Sequence, residues 1–194
     1  SGHAVWGLSR RPYDFPPGLQ PLAADLGAAG SLAALPRAFD YVVYCASADT
    51  GSDDAYRRAY VDGSANLLRH LDASAVQRFF FVSSTAVYAQ DDGQWVDEAS
   101  ETSPSYFSGR RTLEAERVVL DSNLPSSVLR CSGIYGPGRD RLLAAVRRGE
   151  PMTVSERYGN RIHRDDIAGL VEHLIVHGTS EPKLLVSDDE PATQ

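Results

Sequence analysis

The 194-residue sequence is short of several things, and each shortage excludes something. Cysteine occurs twice, methionine once and tryptophan twice, which rules out a disulfide-stapled miniature fold. Cys45 and Cys131 each close an apolar run, where a small thiol behaves as a hydrophobe. No apolar run approaches the roughly 18 residues that would span a bilayer, and no signal-peptide pattern is present, so a soluble, cytoplasmic protein without membrane contact is expected. Positive charge is scarce as well. Lys plus Arg total 19 against 26 Asp plus Glu, a formal charge of −7, which argues against a general nucleic-acid surface. His70, His173 and His177 share no metal-ligand spacing with cysteine or carboxylate, so no metal site is expected. What remains is 42% hydrophobic and 23% charged residues, enough for one core.

The apolar residues fall into short continuous runs. Tyr41-Val42-Val43-Tyr44-Cys45, Phe79-Phe80-Phe81-Val82 and Ser127-Val128-Leu129-Arg130-Cys131 do not alternate with polar residues, as suits parallel strands covered on both faces. Ala4 to Leu8, Leu19 to Ala24 and Lys183 to Val186 are weaker strands of the same kind. Helical spacing begins near Asp53 and carries Tyr56, Tyr60, Leu67 and Leu71. Ser103-Pro104 offers an N-cap and a first-turn proline for a helix through Leu113 and Leu120. Further helices are expected from Arg139 to Arg148 and from Asp165 to His177. Strands alternating with helices imply an α/β fold, a doubly wound parallel sheet with helices on both faces. Ser1-Gly2-His3 reads as the tail of a unit under way and Asp188-Asp189-Glu190-Pro191 as a link onward. The expectation is therefore an incomplete first βα unit and an incomplete C-terminal lobe.

In open α/β sheets the working groups sit past the carboxyl ends of the strands. Ser9-Arg10-Arg11 follows the first strand, where arginines suit a ribose 2′-phosphate or form a solvated basic turn. Ala46-Ser47-Ala48 follows another strand and lets a flat ligand approach the backbone, or simply makes a tight turn. Ser83-Ser84-Thr85 places hydroxyls at a third strand end, with Tyr88 close behind, where they polarise a substrate oxygen or satisfy loop amides. Gly133-Ile134-Tyr135-Gly136-Pro137-Gly138 mimics a phosphate-binding loop, although Pro137 removes one amide donor.

Read in order, these segments carry a resemblance. Phe39 to Ala46, Val61-Asp62-Gly63 with Asn66, Val82 to Tyr88, Leu113-Glu114-Ala115-Glu116, Leu129-Arg130 with Ile134 to Gly138, and Arg161 to Ala168 together resemble the extended short-chain dehydrogenase/reductase superfamily, in particular its NAD-dependent epimerase/dehydratase group. The resemblance implies a Rossmann-type domain over 1–194 binding NAD or NADP, with parts of a small substrate lobe from about 137 to 194. It implies oxidoreductase, epimerase or dehydratase chemistry at a hydroxyl or carbonyl carbon, on a small molecule such as a nucleotide sugar. Ser84 falls at the catalytic Ser/Thr position and Asp25 near the adenine. Arg10 and Arg11 fall where the 2′ group is read, which favours NADP, and Ala46, Ser47 and Ser83 lie along the cofactor. Thr85, Tyr135 and His163 fall on the substrate side. His163 and Asp166 also suit the capping of a helix. A homodimer through the helices at 53–71 and 103–120 is implied too.

Two departures stand out. The family's Gly-x-x-Gly-x-x-Gly loop is absent from these residues, so nothing in them cradles a pyrophosphate in the usual way. Ser108 and Thr112 stand at the family's Tyr and Lys positions, and neither supplies an acidic phenol or a cation. Tyr106 and Arg110 keep the interval but are rotated by about 200° around the helix. Tyr88 or Tyr106 is then the expected phenol. The alternative is a non-catalytic dinucleotide-binding sensor or scaffold. In the family's strand order Cys45 and Cys131 close strands separated by one intervening strand, about 9.6 Å, too far for a disulfide.

Overall fold

Three consecutive phenylalanines set the centre of the fold. In the computed structural model, which describes residues 2–11, 15–139, 141–150 and 158–193, Phe79, Phe80 and Phe81 are completely buried on one strand. Successive strand side chains point to opposite faces, so a strand that buries three in a row must be covered twice. Phe79 and Phe81 pack with Tyr44, Val61, Ala115, Val119 and Val128. Phe80 packs on the other side with Leu129, Cys131, Ile167 and Leu174. Each buried ring contributes about 1.5–3 kcal/mol, which makes this strand the anchor of both cores.

In chain order the elements are β1 (Val5–Ser9), β2 (Leu19–Ala23), β3 (Tyr41–Tyr44), α1 (Asp53–Tyr56), α2 (Gly63–His70), β4 (Arg78–Ser84), α3 (Phe107–Leu120), β5 (Ser126–Cys131), β6 (Gly133–Tyr135), α4 (Arg141–Arg147), β7 (Tyr158–Gly159), β8 (Arg161–His163), α5 (Arg164–His177), β9 (Lys183–Val186) and β10 (Ala192–Thr193). Strands β3, β4, β5 and β9 form a parallel sheet in that order. Tyr44 lies opposite Phe81, Ser84 opposite Cys131, and Cys131 opposite Val186. Residues of α2 and α3 cover one face and residues of α5 the other, which is the doubly wound arrangement. Both cysteines are free thiols, with β4 standing between the strands they close.

The remaining strands form separate pairs. β1 and β2 run parallel in the register Val5–Leu19 to Ser9–Ala23, and no ladder joins β1 to β3. Trp6 of β1 meets Phe39 edge-on at 5.6 Å instead. β6 pairs with β8 in parallel and β7 with β10 antiparallel; β7, β8 and β10 fall within the stretch expected to hold the small lobe, and β6 just before it. Residues 151–157 of that stretch lie outside the described residues. Among the described residues no helix is long and apolar enough to cross a membrane.

Two helix expectations are refined. The helix after β4 starts at Phe107, with Tyr106 as N-cap, rather than at Ser103-Pro104. Pro104 instead lies across the helix's first turn: a Cβ added to Gly109 would sit 2.6 Å from the Pro104 Cβ. The helix from Asp53 is continuous to His70 but passes through a π-helical turn, Arg57–Asp62. The buried Tyr44 hydroxyl donates to the Ala59 carbonyl, the acceptor that an α-helix would offer to the Gly63 N–H. Gly63 donates to Arg58 O, five residues back, and the helix widens by one residue.

Candidate functional site

Strands β1, β2, β3 and β4 are each followed by residues that the sequence singles out. Arg10, just past β1, pairs with Asp49 in the loop after β3. That contact brings the Arg10-Arg11 turn to the loop carrying Ala46 and Ser47. Arg10 holds the Asp49 carboxyl below the usual range through their hydrogen bond, and Arg58 and Arg11 add to the effect. The Arg11 N–H donates to Ser9 Oγ at 3.1 Å. Asp25, just past β2, accepts from Arg58 at 2.6 Å and from the Gly27 N–H at 2.9 Å. Gly27 permits this, because a Cβ there would meet the Arg58 side chain at 2.4 Å. Asn66 donates to the Leu26 carbonyl at 2.8 Å and so ties α2 to the same turn.

Ser84 ends the central strand. Its Oγ accepts from the Ala86 N–H at 3.1 Å, capping the 3-10 turn Thr85–Val87, so its own hydrogen is left to donate to a ligand oxygen. Thr85 is half-buried at the start of that turn and its carbonyl accepts from Tyr88 N at 3.1 Å. The turn packs tightly on α3, where a Cβ added at Gly109 would lie 2.2 Å from the Ala86 carbonyl oxygen.

Ser83 points the other way, as strand alternation requires, and donates to Glu116 at 2.5 Å. Its side chain therefore belongs to a buried network rather than to a cofactor surface. The centre of that network is an ion pair that sequence reasoning missed. Arg130 of β5 and Glu116 of α3, 3% and 2% exposed, meet at 2.8 Å. Burial opposes the charge on Arg130, but its bonds to Glu116 and Tyr88 outweigh burial and hold its pKa above the ordinary value. Arg130 also donates to the Tyr88 hydroxyl at 2.9 Å, with the guanidinium 5.1 Å from the ring centroid. Tyr88 in turn donates to the Asp97 carbonyl at 2.8 Å. The single phenolic proton is committed there, which corrects the expectation that Tyr88 is free to exchange a proton with substrate. The signal in the sequence was an arginine inside an apolar strand, Val128-Leu129-Arg130-Cys131, which calls for a buried counter-charge.

Tyr106 lies at the start of α3 with 78% of its surface exposed. Ser108 is half-buried, and Thr112 is buried with its hydroxyl donating to the Ser108 carbonyl at 2.9 Å. Arg110 turns to the Ser105 carbonyl, while Arg111 binds Asp53 and Glu114. No phenol or cation thus occupies the Ser108 and Thr112 positions.

On the other flank Tyr135 and His163 stand in register on β6 and β8, their rings 5.1 Å apart and near edge-on. His163 Nδ1 accepts from the Asp165 N–H at 3.3 Å and caps α5. Gly136 has φ +123°, and a Cβ there would sit 2.6 Å from His163 Nε2. Arg164 donates to the Pro137 carbonyl at 2.6 Å. The Gly133–Gly138 loop is thus knit to the start of α5 and does not stand open as a phosphate cradle. Among the described residues no group of three or more His, Cys, Asp or Glu could hold a metal.

Residues 1–182 match the NAD dependent epimerase/dehydratase family. The chain belongs to that family. Its fold is shared by a Methylobacillus flagellatus structure assigned to the NAD-dependent epimerases/dehydratases, 37% identical, with a TM-score of 0.82 over 99% of this chain and 69% of that one. The structure of MoeE5 in complex with UDP-glucose and NAD is 25% identical, with a TM-score of 0.79 over 99% of this chain and 70% of that one. The 3 beta-hydroxysteroid dehydrogenase/Delta 5→4-isomerase of Mycobacterium tuberculosis is 28% identical and covers 98% of this chain. The chain spans 60% of the length of that relative.

Proposed function

We propose that this epimerase/dehydratase-family chain binds NAD or NADP along the ends of β1 to β4 and serves an oxidoreductase, epimerase or dehydratase reaction at a hydroxyl or carbonyl carbon of a nucleotide sugar. The observation that carries this reading is Ser84. It ends the central strand with a hydrogen free to donate; Arg10, Asp25 and Ser47 follow the strands before it in the chain, and Tyr135 and His163 end strands after it. The adenosine end of a dinucleotide fits this chain, since Asp25 and the small residues Ala46 to Ala48 leave a charged, low-walled rim at the strand ends. The nicotinamide, when bound, supplies the hydride acceptor or donor. Ser84 donates a hydrogen bond to the substrate oxygen, and Thr85, Tyr135 and His163 line the substrate side. Tyr106, exposed at the start of α3, is the phenol available for proton exchange. The stretch from about 137 to 194 contributes to a small substrate lobe, and Tyr56, Tyr60 and Phe107, which pack against one another, lie on the helices of the proposed homodimer.

The test is hydride exchange with NAD and NADP across a panel of sugar nucleotides and carbonyl compounds. Ser84→Ala is expected to lower turnover about a hundredfold, the range seen for loss of one polarising donor. Bound cofactor with no exchange on any substrate would favour a second reading, a non-catalytic dinucleotide-binding sensor or scaffold. Ser108 and Thr112 support that second reading, because they stand where a phenol and a cation would otherwise work.

A further inference from the structure

Five charged groups converge where the first three strands end: Arg10, Arg11 and Arg58 against Asp25 and Asp49. Asp25 is matched by Arg58. Asp49 is matched by Arg10, across the opening between the loops that follow β1 and β3. An arginine just past this strand is suited to a ribose 2′-phosphate, and the guanidinium fork accepts carboxylate and phosphate by the same geometry. In this chain one arm of that fork, Nη2, already binds the Asp49 carboxylate. We propose that Asp49 is the residue that selects between the two dinucleotides, by holding the Arg10 guanidinium on a carboxylate with which a 2′-phosphate must compete.

This rests on the reading of the chain as a dinucleotide binder, and it reverses what the arginines alone suggest. A ligand with a 2′-hydroxyl leaves the Arg10–Asp49 pair intact. A ligand with a 2′-phosphate must compete for the guanidinium and lie beside a carboxylate of its own sign. Both side chains are more than half exposed, 57% and 62%, so the pair is weak enough to be displaced and acts as a bias rather than a bar. Without the Asp49 charge, Arg10 and Arg11 would form an uncompensated pair of cations at the strand end, the arrangement a dianion favours. The wild-type chain should therefore prefer NAD.

The test uses adenosine 2′,5′-bisphosphate and AMP, which probe the adenosine end without calling on a pyrophosphate cradle. NMR titrations at low salt would compare wild type, Asp49→Asn, Arg10→Ala and the double variant, all in the full chain. Asp49→Asn is expected to raise the bisphosphate-to-AMP affinity ratio about fivefold, and Arg10→Ala to abolish that gain. If both probes bind and the ratio does not move, or if the gain survives in the double variant, Asp49 does not act through Arg10 and the proposal falls. If neither probe binds wild type, the dinucleotide reading falls and takes this inference with it.

Discussion

Replacing Glu116 by glutamine keeps the shape of the side chain and removes the carboxylate that Arg130 touches in the core network. The guanidinium stays 3% exposed, now facing a neutral amide that offers one acceptor oxygen in place of two, and it keeps its bond to the Tyr88 hydroxyl. Breaking a buried pair from one side typically costs about 3–5 kcal/mol, because the surviving charge has lost its partner and cannot reach water. Against a native stability of about 5–15 kcal/mol this is a large fraction. With a urea slope of about 2 kcal/mol/M, the unfolding midpoint should fall by about 1.5–2.5 M. The double variant Glu116→Leu/Arg130→Met buries no charge and should recover most of the loss, less about 1 kcal/mol for the Ser83 hydroxyl left without its acceptor. Amide exchange should also quicken in the Tyr88–Asp97 segment of Glu116→Gln, since Arg130 holds the Tyr88 end of the Tyr88–Asp97 tie. A midpoint shift below about 0.5 M in Glu116→Gln would refute the reasoning, because a desolvated, unpaired guanidinium cannot be that cheap.

Gly109→Ala puts a methyl group 2.2 Å from the Ala86 carbonyl oxygen, so α3 and the Ser84 turn must separate; a loss of about 1–3 kcal/mol is expected, read as a lower urea midpoint. Tyr44→Phe removes the donor to Ala59, and the π-helical turn should relax toward an α-helix at a cost of about 1 kcal/mol, visible as changed amide shifts across Arg57–Asp62. Burial pushes the Cys131 thiol up from 9.0 to about 12. A raised folded value means that the stabilisation is complete below the unfolded value near 9 and is lost as pH rises toward about 12. The advantage of wild type over Cys131→Ala in urea unfolding should therefore shrink above pH 9, and an unchanged gap at pH 10.5 would contradict it.

Much of the fold was legible because burial leaves a local imprint. The unbroken run at Phe79 to Val82 announced a strand covered on both faces, and Tyr41, Ser127 and Lys183 opened strands that the structure finds within a residue or two. His163 could be read as a cap because capping is a two-residue event, and it caps Asp165. The start of α3 was misplaced for the opposite reason: Ser103-Pro104 has the composition of a cap, but Pro104 is used for packing on Gly109. The π-helical turn left no trace in the periodicity, since its cause is a tyrosine hydroxyl arriving from a different strand.

The candidate site divides the same way. Residue types and order along the chain determined the class of fold, the positions of the strand ends and the family, and so placed Ser84, Arg10 and Asp25 at strand ends. The partners of those residues were decided by tertiary structure alone. Arg10 meets Asp49 across 39 residues and Arg130 meets Glu116 across 14, distances along the chain that no helix or strand period connects. An isolated arginine in sequence reads as a free cation. Whether it is free depends on strand register and on which loop the sheet sets beside it, and here that decided that Tyr88 is held, Ser83 is turned inward, and the arginine that suggested NADP already carries a carboxylate.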